Sequence, residues 1–318
     1  MSTATRAADP TGAADPTGTT AGRTGPASGA AVGGAPSPVV VIDLDRAARR
    51  FRELREALPW VDARYEVTAL AHPRLLAGFA ADGAGFSVTS DAGLEALRRV
   101  DADPGRVLHA ATGGPWQERR RAWNAGVRLF VVDDLHALDV FVGAPAGTAV
   151  LLRLAPEHAV RAARHAQSLG IRVAGLSLRL PAGAPAARIA ADLRDASAAH
   201  TAIASVTGRR PGMLDLGEIL ATRASVRPAE VAELARSVRS LVAPATFGTV
   251  VTASLGRAVV ADCITIVSGS DERYADPATA SGYIDDGAEV VIVRARTRTP
   301  SRATRRPARA RTTWSPAG

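Results

Sequence analysis

Residues 149–180 read AVLLRLAPEHAVRAARHAQSLGIRVAGLSLRL, and this stretch decides the fold. An apolar strand pattern at 149–155 is followed by Ala- and Arg-rich helical spacing at 157–169 and by a second strand pattern at 172–180. Continuous apolar strands that alternate with amphipathic helices are typical of a parallel sheet with crossover helices. The stretch therefore predicts a β–α–β unit of an α/β protein.

The same alternation extends in both directions along the chain. Further strand patterns occur at 63–69, 85–90, 106–111, 128–133, 212–217 and 246–254, and further helical patterns at 91–100, 116–125 and 186–206. Eight strands in this rhythm, over about 200 residues, are the number that a (β/α)8 TIM barrel requires. We predict such a barrel over residues 38–256, with a doubly wound sheet as the alternative.

The segments on either side of the predicted barrel differ from it in composition. Residues 1–37 are rich in Gly, Ala, Thr, Pro and Ser, which predicts a disordered tail. Residues 257–293 carry strand patterns at 259–267 and 289–293 and predict a partial β-domain, whereas 294–318 form an Arg-rich tail. Because we find no apolar signal region and no apolar run of roughly 18 residues, we expect a cytoplasmic protein.

One side-chain type is missing from the 318 residues: all 39 basic residues are arginine, and there is no lysine. A lysine Schiff base and a Walker-type phosphate lysine are therefore excluded. The single cysteine, Cys263, excludes a disulfide framework within the chain, and its apolar context predicts an inert core thiol. The six histidines lack the spacing of a metal site, so we expect surface or helix-cap roles for them and no bound metal.

Several motifs, in shared order, resemble the fold-type III pyridoxal-phosphate-dependent decarboxylases of ornithine, diaminopimelate and arginine. Residues 65–70 (YEVTAL) are similar to that family's Tyr-Ala-Val-Lys-Ala-Asn, and 83–90 (GAGFSVTS) to its Gly-Ala-Gly-Phe-Asp-Val-Ala-Ser. Leu216-Gly217, Gly256-Arg257 and residues 283–287 (YIDDG) also match. The resemblance implies an alanine-racemase-like barrel followed by a β-domain, with pyridoxal phosphate as the family cofactor.

The resemblance also places the family's functional positions on this sequence. Thr68 stands where the family has its Schiff-base lysine, Ser254 where a glutamate meets the pyridine nitrogen, and Arg179 where a histidine stacks on the ring. The phosphate loop reads Asp215-Leu216-Gly217-Glu218-Ile219 instead of Asp-Leu-Gly-Gly-Gly. The implied cofactor-binding residues are Arg257, Gly256, Gly217, Thr68, Arg179 and Ser254, and the implied substrate-binding residue is Asp286.

These departures predict a degenerate member of the family. A threonine cannot form an imine, so we expect no covalent pyridoxal phosphate and assign no catalytic residue. The family's Trp-Gly-Pro, which precedes a catalytic Cys-Asp pair, reads Trp314-Ser315-Pro316 here, and the sequence stops at Gly318 before such a pair. We therefore expect a C-terminally truncated pseudoenzyme of a carbon–carbon lyase family of amino-acid or polyamine metabolism.

Two other functions stay open at this point. The barrel mouth could run altered chemistry on a small anionic ligand held by Arg179, Arg257 and Asp286. Alternatively, the net charge of +8 and the arginines of 294–311 could bind nucleic acid. As partners we expect a full-length homologous decarboxylase or a second copy in a weak homodimer, with no membrane, and we regard nucleic acid as the less favoured partner.

Overall fold

Eight parallel strands close into a barrel, with the last strand paired to the first. A computed structural model describes residues 39–180, 185–218, 236, 239–240, 248–268, 271–274 and 289–293. Its strands are β1 (Val39–Asp43), β2 (Val61–Glu66), β3 (Gly85–Val88), β4 (Val107–His109), β5 (Leu129–Val132), β6 (Ala149–Leu152), β7 (Arg172–Ser177), β8 (Met213–Glu218), β9 (Val250–Leu255), β10 (Ile264–Ser268), β11 (Asp271–Tyr274) and β12 (Glu289–Val293). Strands β2 to β9 form the barrel in chain order. The predicted (β/α)8 barrel is confirmed, and the doubly wound alternative is wrong because β9 pairs with β2.

Each described helix follows a strand in the chain, and several of them begin at a recognisable sequence signal. Those described are α1 (Leu44–Ala57), α2 (Pro73–Ala81), α3 (Asp91–Arg98), α4 (Trp116–Asn124), α5 (Pro156–Ser168), α6 (Ala186–Thr207) and α7 (Arg257–Val260). The Ser90 hydroxyl accepts a hydrogen bond from the Gly93 N–H at 3.3 Å and caps α3. Pro73 and Pro156 occupy first-turn positions, where their fixed φ suits a helix. The helices predicted from spacing coincide with α3 to α6.

A second, four-stranded sheet has the order β11-β10-β1-β12. Strand β1 runs antiparallel to β10 and parallel to β12. The sequence predicts that the barrel begins at residue 38, whereas this pairing places 39–43 in the second sheet, and the first barrel strand begins at Val61. A five-residue apolar run followed by a helix looks the same in either sheet, since only its partners differ.

The strand predicted at 259–267 is wrong in its first half. Val259 and Val260 lie in α7, and Cys263 ends a 3-10 turn (Ala261–Cys263), so that β10 begins only at Ile264. The Cys263 thiol donates to the Val259 carbonyl oxygen at 3.4 Å. A short apolar run does not distinguish a buried helix from a strand, because both bury every side chain. The strand predicted at 289–293 coincides with β12.

The barrel interior is packed, apart from the end that holds the carboxyl termini of its strands. Small and branched side chains fill the middle: Leu108, Ala110, Val131, Ala149, Leu151 and Ala174. At the amino end, the buried Arg64 guanidinium donates to Thr252 Oγ1 and to the Arg106 carbonyl oxygen, both at 3.0 Å. The open space therefore lies at the opposite end, where the loops leave the strands. None of the described helices has the length and apolarity that crossing a bilayer requires.

Gly175 lets strands β7 and β8 approach each other, and it gives the first prediction. A Cβ at this position would overlap the backbone carbonyl of Met213, which neither strand can move without losing pairing. We expect Gly175→Ala to lower the free energy of unfolding by about 3 kcal/mol or more, measured by urea denaturation. Gly212→Ala is the matched control, because a Cβ there meets nothing within 4 Å. Equal stability of the two variants would contradict the observed strand packing.

Candidate functional site

A cavity of about 260 Å³ opens at the carboxyl ends of the barrel strands. Its charged lining comes from Glu66 on β2, Arg153 after β6, Arg179 after β7, and Asp215 and Glu218 on β8. Enzymes with this barrel place their reacting groups at this end, because eight separate loops converge there. We call this cavity the barrel mouth and take it as the candidate site.

Thr68 lies beside the barrel mouth, on a 3-10 turn (Val67–Ala69) that directly follows β2. Its side chain is exposed, and its hydroxyl donates a hydrogen bond to Glu66 Oε1 at 3.0 Å. The hydroxyl is therefore held against a carboxylate of the same strand end. Thr68 offers the cavity no amine and no free nucleophile.

Glu66 is a buried acid, with 9% of its surface exposed. Its pKa is raised to about 7, and burial is the main cause. The charge of Glu218 also raises the pKa, whereas hydrogen bonds from Ser87 and Thr68 lower it. A carboxyl group that titrates near neutral pH can accept or release a proton under ordinary conditions. Sequence reasoning missed Glu66 as a site residue, although a charged side chain within the buried strand 61–66 was a usable signal.

A buried hydrogen-bond network joins β6, β7 and β8 below the barrel mouth. The Arg153 guanidinium donates to Ser177 Oγ at 2.9 and 3.0 Å, and Ser177 donates to Asp215 Oδ2 at 2.5 Å. The other Asp215 oxygen accepts the Gly217 N–H at 3.1 Å. Burial raises the pKa of Asp215, while the bonds from Ser177 and Gly217 and the charge of Arg153 oppose that rise. The network satisfies both charged groups inside the protein and fixes the start of the loop at Gly217.

Gly217 adopts a left-handed conformation, with φ of 69°, and a Cβ there would lie 2.9 Å from the Leu178 carbonyl oxygen. Both observations require glycine at this position. The turn brings Glu218 opposite Ser254 in the β8–β9 register. The loop thus presents a carboxylate side chain beside a buried serine.

The Glu218 carboxylate also engages the predicted phosphate ligands. Glu218 Oε2 lies 3.4 Å from Arg257 Nη2. A Cβ on Gly256 would lie 3.1 Å from Glu218 Oε1 and 2.9 Å from Glu66 Cβ, so both acids pack closely on the Gly256 backbone. Arg257 and Gly256 therefore already face an anionic group that belongs to this chain.

The structure brings five of the predicted site residues together around Glu218 and Glu66, and a sixth, Arg179, lines the same cavity. Gly217, Ser254, Gly256 and Arg257 surround Glu218, and Thr68 joins them through Glu66. Arg179 stands exposed on the rim, where its Nη2 lies 3.4 Å from Thr112 Oγ1. The predicted substrate-binding residue Asp286 lies outside the described residues.

Two histidines are buried, and the expectation of surface or cap roles is wrong for them. His109 is fully buried, and its pKa falls to about 4, mainly through burial and then through the charge of Arg119. Neither of its ring nitrogens has a protein hydrogen-bond partner, and its ring packs 5.5 Å from that of Phe130. His200 is also buried. Among the residues that the structure describes, no group of three or more His, Cys, Asp or Glu side chains could hold a metal ion.

Comparison with known proteins gives a consistent picture. Residues 44–167 match the family model described as the pyridoxal-binding domain of pyridoxal-dependent decarboxylases. A lysine/ornithine decarboxylase of Selenomonas ruminantium is 28% identical over 120 residues, which cover 38% of this chain and 30% of that protein.

Solved structures with the same barrel are more distant in sequence. The lysine/ornithine decarboxylase of Vibrio vulnificus aligns with a TM-score of 0.67 at 20% identity, over 72% of this chain and 66% of that chain. The arginine decarboxylase of Paramecium bursaria Chlorella virus aligns with a TM-score of 0.65 at 16% identity, also over 72% and 66%. These likenesses show the fold, and this chain spans just under two thirds of the length of those proteins.

The opposite pKa shifts of Glu66 and His109 give the second prediction. The pKa of Glu66 is raised on folding, so its contribution to stability is complete below about pH 4.5 and is lost as pH rises through 7. The pKa of His109 is lowered, so its contribution has the opposite slope, complete above about 6.5 and lost as pH falls towards 4. In the parent protein the two slopes oppose each other over most of this range.

Glu66→Gln removes the contribution of Glu66 to the pH dependence of stability. We expect the free energy of unfolding of this variant, relative to the parent, to rise by roughly 3 kcal/mol between pH 4 and pH 8, in urea titrations at each pH. The exposed Glu56→Gln serves as the control, and its difference from the parent should change little with pH. A constant offset for Glu66→Gln across the range would show that Glu66 is not buried as described.

Proposed function

We propose that this chain is a non-catalytic member of the fold-type III pyridoxal-phosphate-dependent decarboxylase family, whose barrel it resembles. The observation that carries the proposal is the side chain at the Schiff-base position. Thr68 stands there with its hydroxyl bonded to Glu66, and no other residue of the sequence supplies a side-chain amine. Without an amine, no imine with an aldehyde can form inside the barrel.

The residues of the barrel mouth do not fit the family's cofactor. A phosphate group carries negative charge, and Glu218 places a carboxylate against Gly256 and Arg257, where the phosphate would be expected. Glu66 adds a second acid on the same side of the cavity. Like charges in a partly desolvated site repel strongly, so Glu218, and Glu66 in its ionised form, oppose a phosphate there. The charged side chains of the barrel mouth are paired with each other: Arg257 with Glu218, and Arg153 with Asp215.

Ser254 adds a third departure. It is buried at 4% exposure and lies in register with Glu218. In the family that this chain resembles, a glutamate at this position keeps the pyridine nitrogen protonated. A serine hydroxyl carries no charge and cannot stabilise that proton in the same way. The proposal of inactivity thus rests on several positions, and repair of one should not restore turnover.

A second candidate function is an enzyme of altered chemistry at the same mouth. It is favoured by one observation, namely that Glu66, with a pKa of about 7, shares the cavity with the cations Arg153 and Arg179. An acid that titrates near neutral pH, facing two guanidinium groups, could transfer a proton on a small carboxylate ligand. Saturable binding of malonate that Arg179→Gln abolishes would favour this candidate, and the absence of such binding would count against it.

The arginine-rich segment 294–311, on which a nucleic-acid function would depend, lies outside the described residues. We also propose a cytoplasmic location and a partnership with a homologous decarboxylase or with a second copy of this chain.

The third prediction tests the lost imine. We expect the purified protein, with its N-terminal amine blocked, to show the absorption spectrum of the free cofactor when it is mixed with pyridoxal phosphate, because no side chain can trap the aldehyde. The Selenomonas ruminantium decarboxylase, freed of its cofactor and treated in the same way, is the positive control. A new absorption band typical of a protein-bound imine, insensitive to blocking of the N-terminal amine, would overturn the proposal.

The fourth prediction tests whether the threonine at position 68 is the only residue that prevents catalysis. We expect Thr68→Lys to bind pyridoxal phosphate weakly, since a lysine amine at this position lies next to Glu66, and an ion pair would keep it protonated. The double variant Thr68→Lys/Glu66→Ala should bind the cofactor more tightly than the single variant, because that ion pair is absent.

Neither variant should turn over substrate. We expect carbon dioxide release from carboxyl-labelled ornithine, lysine, arginine or diaminopimelate to stay at the level of a boiled sample, because Ser254 and Glu218 are unchanged. Release well above that level from Thr68→Lys alone would show that the other residues of the barrel mouth support catalysis and that Thr68 alone prevents it.

A further inference from the structure

A second cavity lies away from the barrel mouth, between α1 and the turn that follows α7. It has a volume of about 240 Å³ and is lined by Arg46, Arg49, Arg50, Glu53, Asp262 and Cys263. The three arginines stand at positions i, i+3 and i+4 of α1, so they share one face of the helix. We call it the Arg50 cavity.

Protein contacts hold the Arg50 side chain in place, but one of its guanidinium nitrogens has no hydrogen-bond partner in the protein. Only 11% of its side chain is exposed. Its Nε donates to the Ala258 carbonyl oxygen at 3.4 Å, and its Nη1 lies 3.7 Å from Glu53 Oε2. Its Nη2 is buried and has no protein hydrogen-bond partner. An unsatisfied buried donor on a charged group is costly, so this nitrogen requires an acceptor other than a protein atom, which water or a bound ligand can supply.

The charges of the cavity favour an anion. Three guanidinium groups face two carboxylates, which leaves a net positive charge on the lining. Burial raises the pKa of the Cys263 thiol to about 12, so the thiol is neutral and does not repel an anion. A guanidinium presents paired N–H donors whose geometry matches two oxygens of one oxyanion.

We propose that the Arg50 cavity binds a phosphate group, either free or carried by a small molecule. The Arg50 Nη2 donates to one phosphate oxygen, and Arg49 at the rim supplies further donors. The bound group connects α1 with the segment 257–263, which leads from the last barrel strand into the four-stranded sheet. This site is separate from the barrel mouth and does not depend on the loss of decarboxylase activity.

The test is calorimetric titration of the full chain with inorganic phosphate and with glycerol 3-phosphate, at constant ionic strength maintained with sodium chloride. We expect one saturable site for at least one of the two probes. Arg50→Gln should weaken it at least about tenfold, since a hydrogen bond to a charged group is lost. Arg52→Gln, which removes the same charge from an exposed position of α1, should leave the affinity unchanged.

Two more variants keep the proposal open to refutation. Arg49→Gln should weaken binding while it leaves the packing of Arg50 untouched, and it decides the question if Arg50→Gln does not fold. Arg98→Gln, at an exposed position of α3, should have no effect on the titration. Absence of saturable binding for both probes, an equal loss in Arg52→Gln, or a loss in Arg98→Gln would each overturn the proposal.

Discussion

The buried carboxyl group of Glu66 is the constraint on which the barrel mouth depends. It accepts the Thr68 hydroxyl and packs on Gly256, where a Cβ would come within 2.9 Å of its own Cβ. Burial and the neighbouring Glu218 charge hold its pKa near 7. Because an acid occupies this position, an amine introduced at residue 68 would lie next to a carboxyl group and pair with it in its ionised form. Glycine at 256 and threonine at 68 are the residues that fit around it.

The other charged side chains of the barrel mouth form ion pairs and hydrogen bonds with each other. Arg153 reaches Asp215 through Ser177, and Arg257 reaches Glu218. Such closed networks order a site without a bound group, because each buried donor finds its acceptor within the chain. The barrel therefore has the architecture of the decarboxylases that it resembles, while the charged groups of its mouth are paired within the chain. The proposed loss of imine chemistry would leave these contacts in place.

The barrel could be predicted from sequence because each strand is a continuous apolar run and each helix has its own start signal. Strand β1 could not be assigned to its sheet, since its partners β10 and β12 lie more than 200 residues away in the chain. Residues 259–263 were missed because a buried helix and a buried strand have the same composition. Within the site, Thr68 and Ser254 were found by position, whereas the contact of Glu218 with Arg257 depends on the β8–β9 register. Glu66 was passed over because no motif requires it.

The central claim is that no residue inside this barrel can bind pyridoxal phosphate covalently. Borohydride reduction of the protein mixed with the cofactor, followed by peptide mass mapping, tests it most directly, because reduction makes any imine permanent. The account predicts a label at the α-amino group of Met1 and none on peptides from residues 61–255. A reduced adduct on a peptide of that range, above all on the one that contains Thr68, would contradict it.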